Sequence, residues 1–249
     1  MPTKVVISGA TGRMGQTLTR LIADSHDFEL VGGIDRDSKN VELLSRADVV
    51  IDFSAVPALA SLLNQHGQRL AGRALVVGTT GLTPEVQRLL AEAARKSAVL
   101  VSANFSVGVN LMLNLVAAAA RVLSADHFDV EIVEAHHRRK VDAPSGTALA
   151  LGKAIAEARG AALADLRRDG RSGQTGERPH GEIGFHALRA GDIVGEHRVA
   201  FVGARERIEI AHAAQDRALF AEGALVAARW MAGKPAGSYS MKDVLGLGA

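Results

Sequence analysis

The first hundred residues alternate short apolar runs with amphipathic helical segments. The apolar runs cover residues 4–8, 29–34, 48–53, 74–77 and 99–102. Apolar runs of this length that alternate with helical patterns are typical of βαβ units. We therefore predict an α/β fold of the Rossmann type, in which helices cover both faces of a doubly wound parallel sheet.

The composition agrees with such a core. The chain of 249 residues is 47% hydrophobic but has only seven Phe, one Trp and one Tyr. Its core must therefore consist mainly of aliphatic side chains and alanine, as in parallel sheets covered by helices. There is no cysteine, which excludes disulfides, thiolate catalysis and cysteine metal sites.

Charge and hydropathy argue against two classes of partner. The formal net charge is +2, and the basic clusters at residues 138–140 and 167–168 are not interleaved with aromatic side chains. We expect no nucleic-acid partner. The most apolar stretch, residues 111–120, is interrupted by Asn114 and is too short to span a bilayer. With no targeting segment in the N-terminal residues, we expect a cytoplasmic protein and no membrane partner.

The pattern changes after Asn104. It predicts helices at residues 111–123, 147–159 and 217–232, and strands at 129–135, 182–188, 195–202 and 206–212. Residues 165–181 are rich in Arg and Gly without an apolar period, which predicts a long surface loop. From the residues alone, we assign the segment 217–249 to a second domain.

A glycine loop follows the first predicted strand. Gly9, Gly12 and Gly15 form a G-x-x-G-x-x-G pattern between a strand and a helix, where backbone N–H groups can bind a pyrophosphate. Asp35 ends the second strand, where an acid can accept hydrogen bonds from the adenosine ribose. Arg36 follows it and could contact a 2′-phosphate, so NADH and NADPH both remain possible. An ordinary tight turn is the alternative for the glycines, and a solvated turn for Asp35 and Arg36.

Two further loops follow the fourth and fifth strands. They are Gly78-Thr79-Thr80-Gly81 and Ser102-Ala103-Asn104-Phe105. In open parallel sheets, ligands bind outside the carboxyl ends of the strands. These loops are therefore candidates for the nicotinamide half of the cofactor, and simple strand–helix turns are the alternative.

A segment after the strand at 129–135 combines three kinds of functional group. His136, His137 and Lys140 can donate protons or hold negative charge. Asp142 is a candidate partner of Lys140 or of a histidine. The helix start Ser145-Gly146-Thr147 can offer N–H groups to a carboxylate. Each group alone is more often a solvated or capping residue. Adjacent histidines on a strand end point in opposite directions and no third ligand is evident, so we expect no metal site.

The motifs together resemble the 4-hydroxy-tetrahydrodipicolinate reductase family, formerly called dihydrodipicolinate reductases. The resemblance covers nearly the whole chain, and its most specific part is the His-His to Ser-Gly-Thr motif. The matching motifs are Gly9-Ala-Thr-Gly-Arg-Met-Gly15, Gly78-Thr-Thr-Gly81, Asn104-Phe-Ser-Val-Gly-Val-Asn110, Glu134-Ala-His-His-Arg-Arg-Lys-Val-Asp-Ala-Pro-Ser-Gly-Thr147, Ile183-Gly-Phe-His-Ala-Leu-Arg189, Gly191-Asp-Ile-Val-Gly-Glu-His197 and Met241-Lys-Asp-Val-Leu245.

The resemblance implies a role for each matching position. His136 corresponds to a proton donor/acceptor, Lys140 to a proton donor, His137 to a substrate contact, and Gly146 with Thr147 to the pair that holds a substrate carboxylate. Positions that correspond to nucleotide contacts are Gly9, Ala10, Thr11, Gly12, Arg13, Met14, Asp35, Arg36, Gly78, Thr79, Thr80, Ser102, Ala103, Asn104 and Phe105.

The resemblance also implies how the chain is organised and what it binds. A dinucleotide-binding domain would comprise residues 1–106 and 217–249. An inserted α+β domain with a mixed sheet, residues 107–216, would bind substrate and form a homotetramer. The resemblance implies reduction of a small anionic dicarboxylate, 4-hydroxy-tetrahydrodipicolinate, by NADH or NADPH to tetrahydrodipicolinate and water, in lysine and diaminopimelate biosynthesis. Two other hypotheses stay open: another nicotinamide-dependent reductase with a Lys/His site, and a redox-sensing nucleotide-binding regulator without catalysis.

Overall fold

The structure, a computed structural model, describes residues 1–35 and 40–247. Its strands are β1 (Thr3–Ser8), β2 (Phe28–Ile34), β3 (Val49–Asp52), β4 (Ala74–Val77), β5 (Ala98–Val101), β6 (Asp129–His136), β7 (Arg167–Asp169), β8 (Ile183–Arg189), β9 (Gly195–Val202), β10 (Arg207–Ala214) and β11 (Gly237–Tyr239). Its α-helices are α1 (Arg13–Ala23), α2 (Val56–Leu70), α3 (Pro84–Ala93), α4 (Val107–Val122), α5 (Gly146–Ala158), α6 (Leu163–Leu166), α7 (Ala218–Met231) and α8 (Met241–Val244), and a 3-10 helix covers Val41–Arg46.

The chain divides into two compact units, residues 1–107 with 218–249 and residues 108–217. The first contains a six-stranded sheet in the order β11-β5-β4-β3-β1-β2, and every pairing in it is parallel. The predicted parallel sheet is confirmed, and β1 to β5 are the five strands expected from the apolar runs.

Alternate residues of each central strand pack into two separate apolar layers. Val5 and Ile7 of β1 face α1 and α7, whereas Val6 packs on the side of α2 and α3. This explains why the central strands are apolar throughout, since a parallel sheet is covered on both faces. Helix α3 begins as predicted, with Pro84 in its first turn and the Thr83 hydroxyl accepting a hydrogen bond from the Val86 N–H.

The segment after Arg217 corrects the expectation drawn from residues alone. Helix α7 packs its alanine-rich face into the core that contains Val5 and Ile7, and β11 pairs with β5 at the edge of the same sheet. The segment therefore belongs to the first unit. The sequence pattern could not show this, because an apolar helix face does not specify which sheet it covers.

The second unit is built on a mixed sheet in the order β10-β9-β6-β8-β7. Strand β6 is antiparallel to β9 and parallel to β8. Side chains from α4 and α5, including Met112, Val116 and Leu151, pack with inward-facing residues of the sheet such as Ile132 and Val199. The mixed sheet confirms the predicted fold class.

The predicted loop at 165–181 is partly wrong. Its first residues complete α6 and form the short strand β7, which pairs with β8. Strand β7 consists of Arg167, Arg168 and Asp169, all exposed. An edge strand of this kind has no buried apolar residue, so no apolar period could mark it. Among residues 1–35 and 40–247, no helix combines the length and apolarity that crossing a membrane requires.

Candidate active site

The glycine loop joins β1 to α1 and packs tightly against the start of the helix. Gly9 has φ of +82°, a conformation that favours glycine, and Gly12 lies at the N-cap of α1. A Cβ at Gly15 would lie 2.3 Å from the carbonyl oxygen of Gly9. The loop therefore fits the backbone cradle that binds a dinucleotide pyrophosphate at a helix N-terminus.

Asp35 is held against this loop. Its carboxylate accepts hydrogen bonds from the Thr11 N–H, at 3.3 Å, and from the Thr11 hydroxyl, at 3.1 Å. The end of β2 is thus fixed next to the glycine loop, as expected for an acid that would bind a ribose. Arg36, the other predicted residue here, lies outside the described residues.

A cleft of about 660 Å³ opens beside the glycine loop. It brings together four of the predicted residues, Gly9, Thr11, Gly12 and Asp35. Ala10, Arg13 and Met14 are not part of its lining. The cleft also includes residues that sequence reasoning missed, among them Phe53, Ser61, Gln65 and His66. Phe53 directly follows β3, and its place at the carboxyl end of a parallel strand could have identified it; Ser61, Gln65 and His66 lie on α2, which gives no such signal.

Several side chains of the two loops after β4 and β5 make contacts within the protein. Thr79 is buried, and its hydroxyl donates a hydrogen bond to the Asp52 carboxylate at 2.6 Å. The Ser102 hydroxyl donates to the backbone oxygen of Asn104 at 2.7 Å. Phe105 is buried and packs edge-on to Phe53, with ring centroids 5.6 Å apart. Gly78 is close to Phe53, while Thr80 and Ala103 are exposed.

Asp52 organises the carboxyl ends of the strands in this unit, although sequence reasoning gave it no role. Its fully buried carboxylate accepts hydrogen bonds from the hydroxyls of Ser8, Ser54 and Thr79, at 2.6, 2.7 and 2.6 Å. A buried carboxylate needs such partners. This cluster fixes the end of β1 relative to the loops after β3 and β4.

In the second unit, β6 ends at His136 and leads into a short turn. The Lys140 N–H donates to the His137 carbonyl at 3.1 Å, and the Lys140 ammonium contacts Asp142 at 2.8 Å. The hydrogen bond from Lys140 lowers the pKa of Asp142. Of the two alternatives left open for Asp142, this geometry shows the pairing with Lys140.

His137 is half-buried, and its Nδ1 has no hydrogen-bond partner within the described part of the chain. Partial desolvation lowers the pKa of His137, and the charges of Arg217 and Arg139 lower it further. The ring is therefore biased towards the neutral form, which can both donate and accept a hydrogen bond.

The Ser-Gly-Thr segment begins α5 as predicted. Ser145 is the N-cap, and its hydroxyl oxygen accepts a hydrogen bond from the Ala148 N–H. N–H groups in the first turn of a helix have no partner within the helix. Gly146 is exposed, and a Cβ at this position would meet open space. An anionic group could therefore approach this helix start.

Three polar residues around the histidine segment were given no role by sequence reasoning: the buried Glu134 and His197 and the half-buried Arg189. Glu134 contacts His136, Ser145 and Arg189 through its carboxylate. His197 lies 3.2 Å from the Ser145 hydroxyl, and burial lowers the pKa of His197 to about 4. A neutral His197 can accept a hydrogen bond from the Ser145 hydroxyl. Glu134 and His197 occupy buried positions of β6 and β9, where a polar residue among apolar ones is the available sequence signal, and Arg189 ends β8.

No cluster of three or more His, Cys, Asp or Glu suited to a metal ion occurs among residues 1–35 and 40–247. The candidate residues of the second unit are acid–base groups, hydrogen-bond donors and the N-terminus of α5. A parallel dinucleotide-type unit and a separate unit that carries His, Lys and a helix start define a nicotinamide-dependent reductase class.

Comparison with known proteins identifies the family within this class. The family model described as dihydrodipicolinate reductase, N-terminus, matches residues 3–105, and the model for the C-terminus matches residues 108–245. The chain belongs to the dihydrodipicolinate reductase family.

Curated relatives agree over their whole length. The chain is 47% identical to a 4-hydroxy-tetrahydrodipicolinate reductase of Anaeromyxobacter dehalogenans, covering 98% of both chains. It is 48% identical to the protein of that name from Myxococcus xanthus, covering 98% of this chain and 97% of the relative.

A solved structure supports the fold independently. Dihydrodipicolinate reductase from Paenisporosarcina sp. TG-14, in complex with dipicolinate, aligns with a TM-score of 0.75 at 24% identity. The alignment covers 96% of this chain and 98% of the other.

Proposed function

We propose that this protein reduces 4-hydroxy-tetrahydrodipicolinate to tetrahydrodipicolinate and water, with NADH or NADPH as reductant, in lysine and diaminopimelate biosynthesis. The proposal is carried by family membership over both units, together with one cluster in which Glu134 contacts both His136 and the Ser145 helix start. The substrate is a small dicarboxylate, so both anion-binding and proton-transfer groups are needed.

The chemistry consumes one hydride and one proton. A bound nicotinamide supplies the hydride that replaces the substrate hydroxyl, which leaves as water after gaining a proton. We assign proton transfer to His136 and Lys140, which lie at the end of β6 and in the following turn. General acid–base groups of this kind contribute roughly 10²–10⁴-fold to a rate.

The anionic substrate would be held by the first turn of α5. The backbone N–H groups of Gly146 and Thr147, the Lys140 ammonium and the His137 ring would bind its carboxylates. Helix N-termini favour negative charge because of the aligned peptide dipoles. The open space in front of Gly146 supports this assignment.

The cofactor would be bound by the first unit. Gly9 to Met14 would contact the pyrophosphate, Asp35 and Arg36 the adenosine ribose, and the loops 78–80 and 102–105 the nicotinamide half. The close packing of Gly15 against the backbone of Gly9 and Ala10, and the cleft lined by Gly9, Thr11 and Gly12, support the fit. We assign dinucleotide binding to residues 1–106 and 217–249, and substrate binding with oligomerisation to residues 107–216.

The decisive experiment follows the loss of absorbance at 340 nm with enzymatically generated substrate, in parallel reactions with NADH and NADPH. Turnover is expected with at least one of them. No turnover with either cofactor contradicts the proposal, and dinucleotide binding without any turnover would favour a regulator. We also propose a cytoplasmic homotetramer, for which light scattering should give four times the chain mass of 26.1 kDa.

A further inference from the structure

The Glu134 carboxylate lies at a junction of three structural elements of the second unit. Its side chain is only 1% exposed. Oε1 accepts hydrogen bonds from Arg189 at 2.7 Å and from the Ser145 N–H at 3.0 Å. Oε2 accepts from Arg189 at 2.8 Å and contacts Nδ1 of His136 at 2.6 Å. Both oxygens are thus shared between an arginine and a group next to the candidate site.

This arrangement determines which nitrogen of His136 can exchange a proton with a ligand. An ionised carboxylate only accepts hydrogen bonds, so Nδ1 must carry the hydrogen in its contact with Glu134. The ring is then left with Nε2 for proton transfer. A Cβ at Gly195 would lie 3.1 Å from Nε2, so the absence of a side chain there keeps room beside this nitrogen.

The same carboxylate also fixes the start of α5. Ser145, whose N–H binds Oε1, is the N-cap of this helix. The Ser145 hydroxyl is itself placed between the Ala148 N–H and Nε2 of His197, each at 3.2 Å. Glu134 therefore links the ring of His136 to the helix turn that contains Gly146 and Thr147.

Arg189 allows Glu134 to remain ionised in this buried position. Burial alone would raise the pKa of Glu134, but hydrogen bonds from Arg189, His136 and Ser145 outweigh it, and the pKa is lowered. A carboxylate that stays ionised can hold a protonated imidazole without taking its proton. A role in orientation therefore fits Glu134 better than a role as the acid or base.

We infer that Glu134 is a positioning residue of the reductase site. It holds His136 in the form protonated at Nδ1, with Nε2 available for proton exchange. It also fixes the position of the Ser145 helix start relative to that ring. The inference deepens the proposed function and rests on it for the identity of the reaction.

Glu134→Gln provides the test, since the amide has nearly the same shape. Its NH₂ group placed against Nδ1 favours the opposite tautomer, and the loss of negative charge makes a protonated His136 less stable. We expect kcat to fall about 10²-fold or more. We also expect the alkaline limb of the pH profile of kcat/KM to move to lower pH, because a negative charge beside the ring is lost. Dinucleotide affinity, measured by NADH fluorescence, should be unchanged.

Glu131→Gln is the matched control. Glu131 lies three residues earlier on β6, is part-buried, and like Glu134 contacts arginine and histidine side chains, here Arg171, Arg178 and His186. Losing this cluster should alter stability without moving the pH limb. If both variants change kcat and the pH limb alike, the effect of Glu134 is merely structural and the inference is overturned.

A readout that needs no turnover separates this inference from the proposed function. In ¹⁵N-histidine spectra, assigned with His136→Gln, wild-type His136 should show the Nδ1–H form at alkaline pH, and Glu134→Gln should show the Nε2–H form. An unchanged tautomer overturns the inference even if the wild type is active. An inactive wild type with the expected tautomer change instead contradicts only the proposed reaction.

The double variant Glu134→Gln/Arg189→Met covers the case in which the single variant does not fold. It removes the arginine charge that would otherwise be buried without its carboxylate. The same tautomer change is expected. A folded double variant that retains the Nδ1–H form overturns the inference.

Discussion

The imidazole of His197 lies edge-on to that of His136, with ring centroids 5.2 Å apart and the ring planes at 74°. His197 is buried, and its Nε2 contacts the Ser145 hydroxyl. Burial and the neighbouring charge of His136 lower the pKa of His197 to about 4. The neutral ring of His197 thus packs against His136, to which we assign proton transfer. Protonation of His197 would place a positive charge next to the His136 ring.

This environment makes folding stability dependent on pH. An unfolded histidine titrates near pH 6.5, so between pH 6.5 and 4 the unfolded chain binds a proton that folded His197 excludes. The unfolding free energy should therefore fall as the pH falls through this window. His197 accounts for about 3 kcal/mol of this loss of unfolding free energy, because its pKa is about 4 in the folded protein and near 6.5 in the unfolded chain.

Urea unfolding between pH 7 and pH 4 measures the effect. His197→Gln keeps an acceptor for the Ser145 hydroxyl and should make the loss of stability with falling pH shallower. His127→Gln, at an exposed position of the same unit, is the control. Identical pH dependence in wild type and His197→Gln would refute the prediction.

Removal of either proposed proton-transfer group should impair catalysis. We expect His136→Ala and Lys140→Ala each to lower kcat/KM by about 10²-fold or more, because acid–base assistance is lost. Steady-state kinetics with saturating cofactor measure this. Lys153→Ala, an exposed lysine of α5, should leave the rates unchanged. Near-normal kinetics in both site variants would exclude the proposed roles.

Asp35→Asn should change the balance between the two cofactors. The substitution weakens hydrogen bonds to the adenosine ribose, which we expect to raise KM for NADH roughly tenfold. KM for NADPH should rise less, since the repulsion between the carboxylate and a 2′-phosphate disappears as well. Asp48→Asn is the control, because Asp48 is exposed and binds the Lys4 N–H. Equal changes for both cofactors would contradict this role.

Gly15→Ala should impair dinucleotide binding. The new Cβ would lie 2.3 Å from the Gly9 oxygen and 2.5 Å from the Ala10 oxygen, and backbone atoms cannot move aside without reshaping the loop. We expect NADH affinity, measured by fluorescence titration, to fall tenfold or more, which is roughly 1.4 kcal/mol.

Gly67→Ala is the matched substitution in the same unit. Gly67 lies inside α2, and a Cβ there meets open space. Alanine should stabilise the protein by roughly 0.5–1 kcal/mol, because glycine is a poor helix former. Unchanged NADH binding in Gly15→Ala, or destabilisation by Gly67→Ala, would show that the local geometry differs from that described.

The parallel sheet was predictable because its central strands, such as β3 and β4, are buried on both faces and are therefore largely apolar. Strands β7 and β11 were not, since each is three residues long and lies at a sheet edge. An edge strand is defined by backbone pairing with a distant segment. Such a strand therefore need not show a periodic pattern of apolar side chains in the sequence.

The candidate site was predictable only where its residues are consecutive. Ser145, Gly146 and Thr147 form a helix start that can be read locally, and the structure has α5 begin there. Glu134, in contrast, looked like an ordinary polar residue of a strand. Its burial depends on Arg189, 55 residues later in the chain, and on the pairing of β6 with β8. The roles assigned to the site residues remain predictions.

The division of the chain has a consequence for the order of events during synthesis. The core around Val5 and Ile7 includes α7, and the sheet edge includes β11, so the first unit needs residues made after 217. The second unit is continuous, from 108 to 217, and its strands and helices are all available earlier. At about 5–20 residues per second, the early strands wait several seconds or more for their last partners. We therefore expect the ribosome-bound chain to complete the inserted unit before the parallel sheet acquires its last helix and strand.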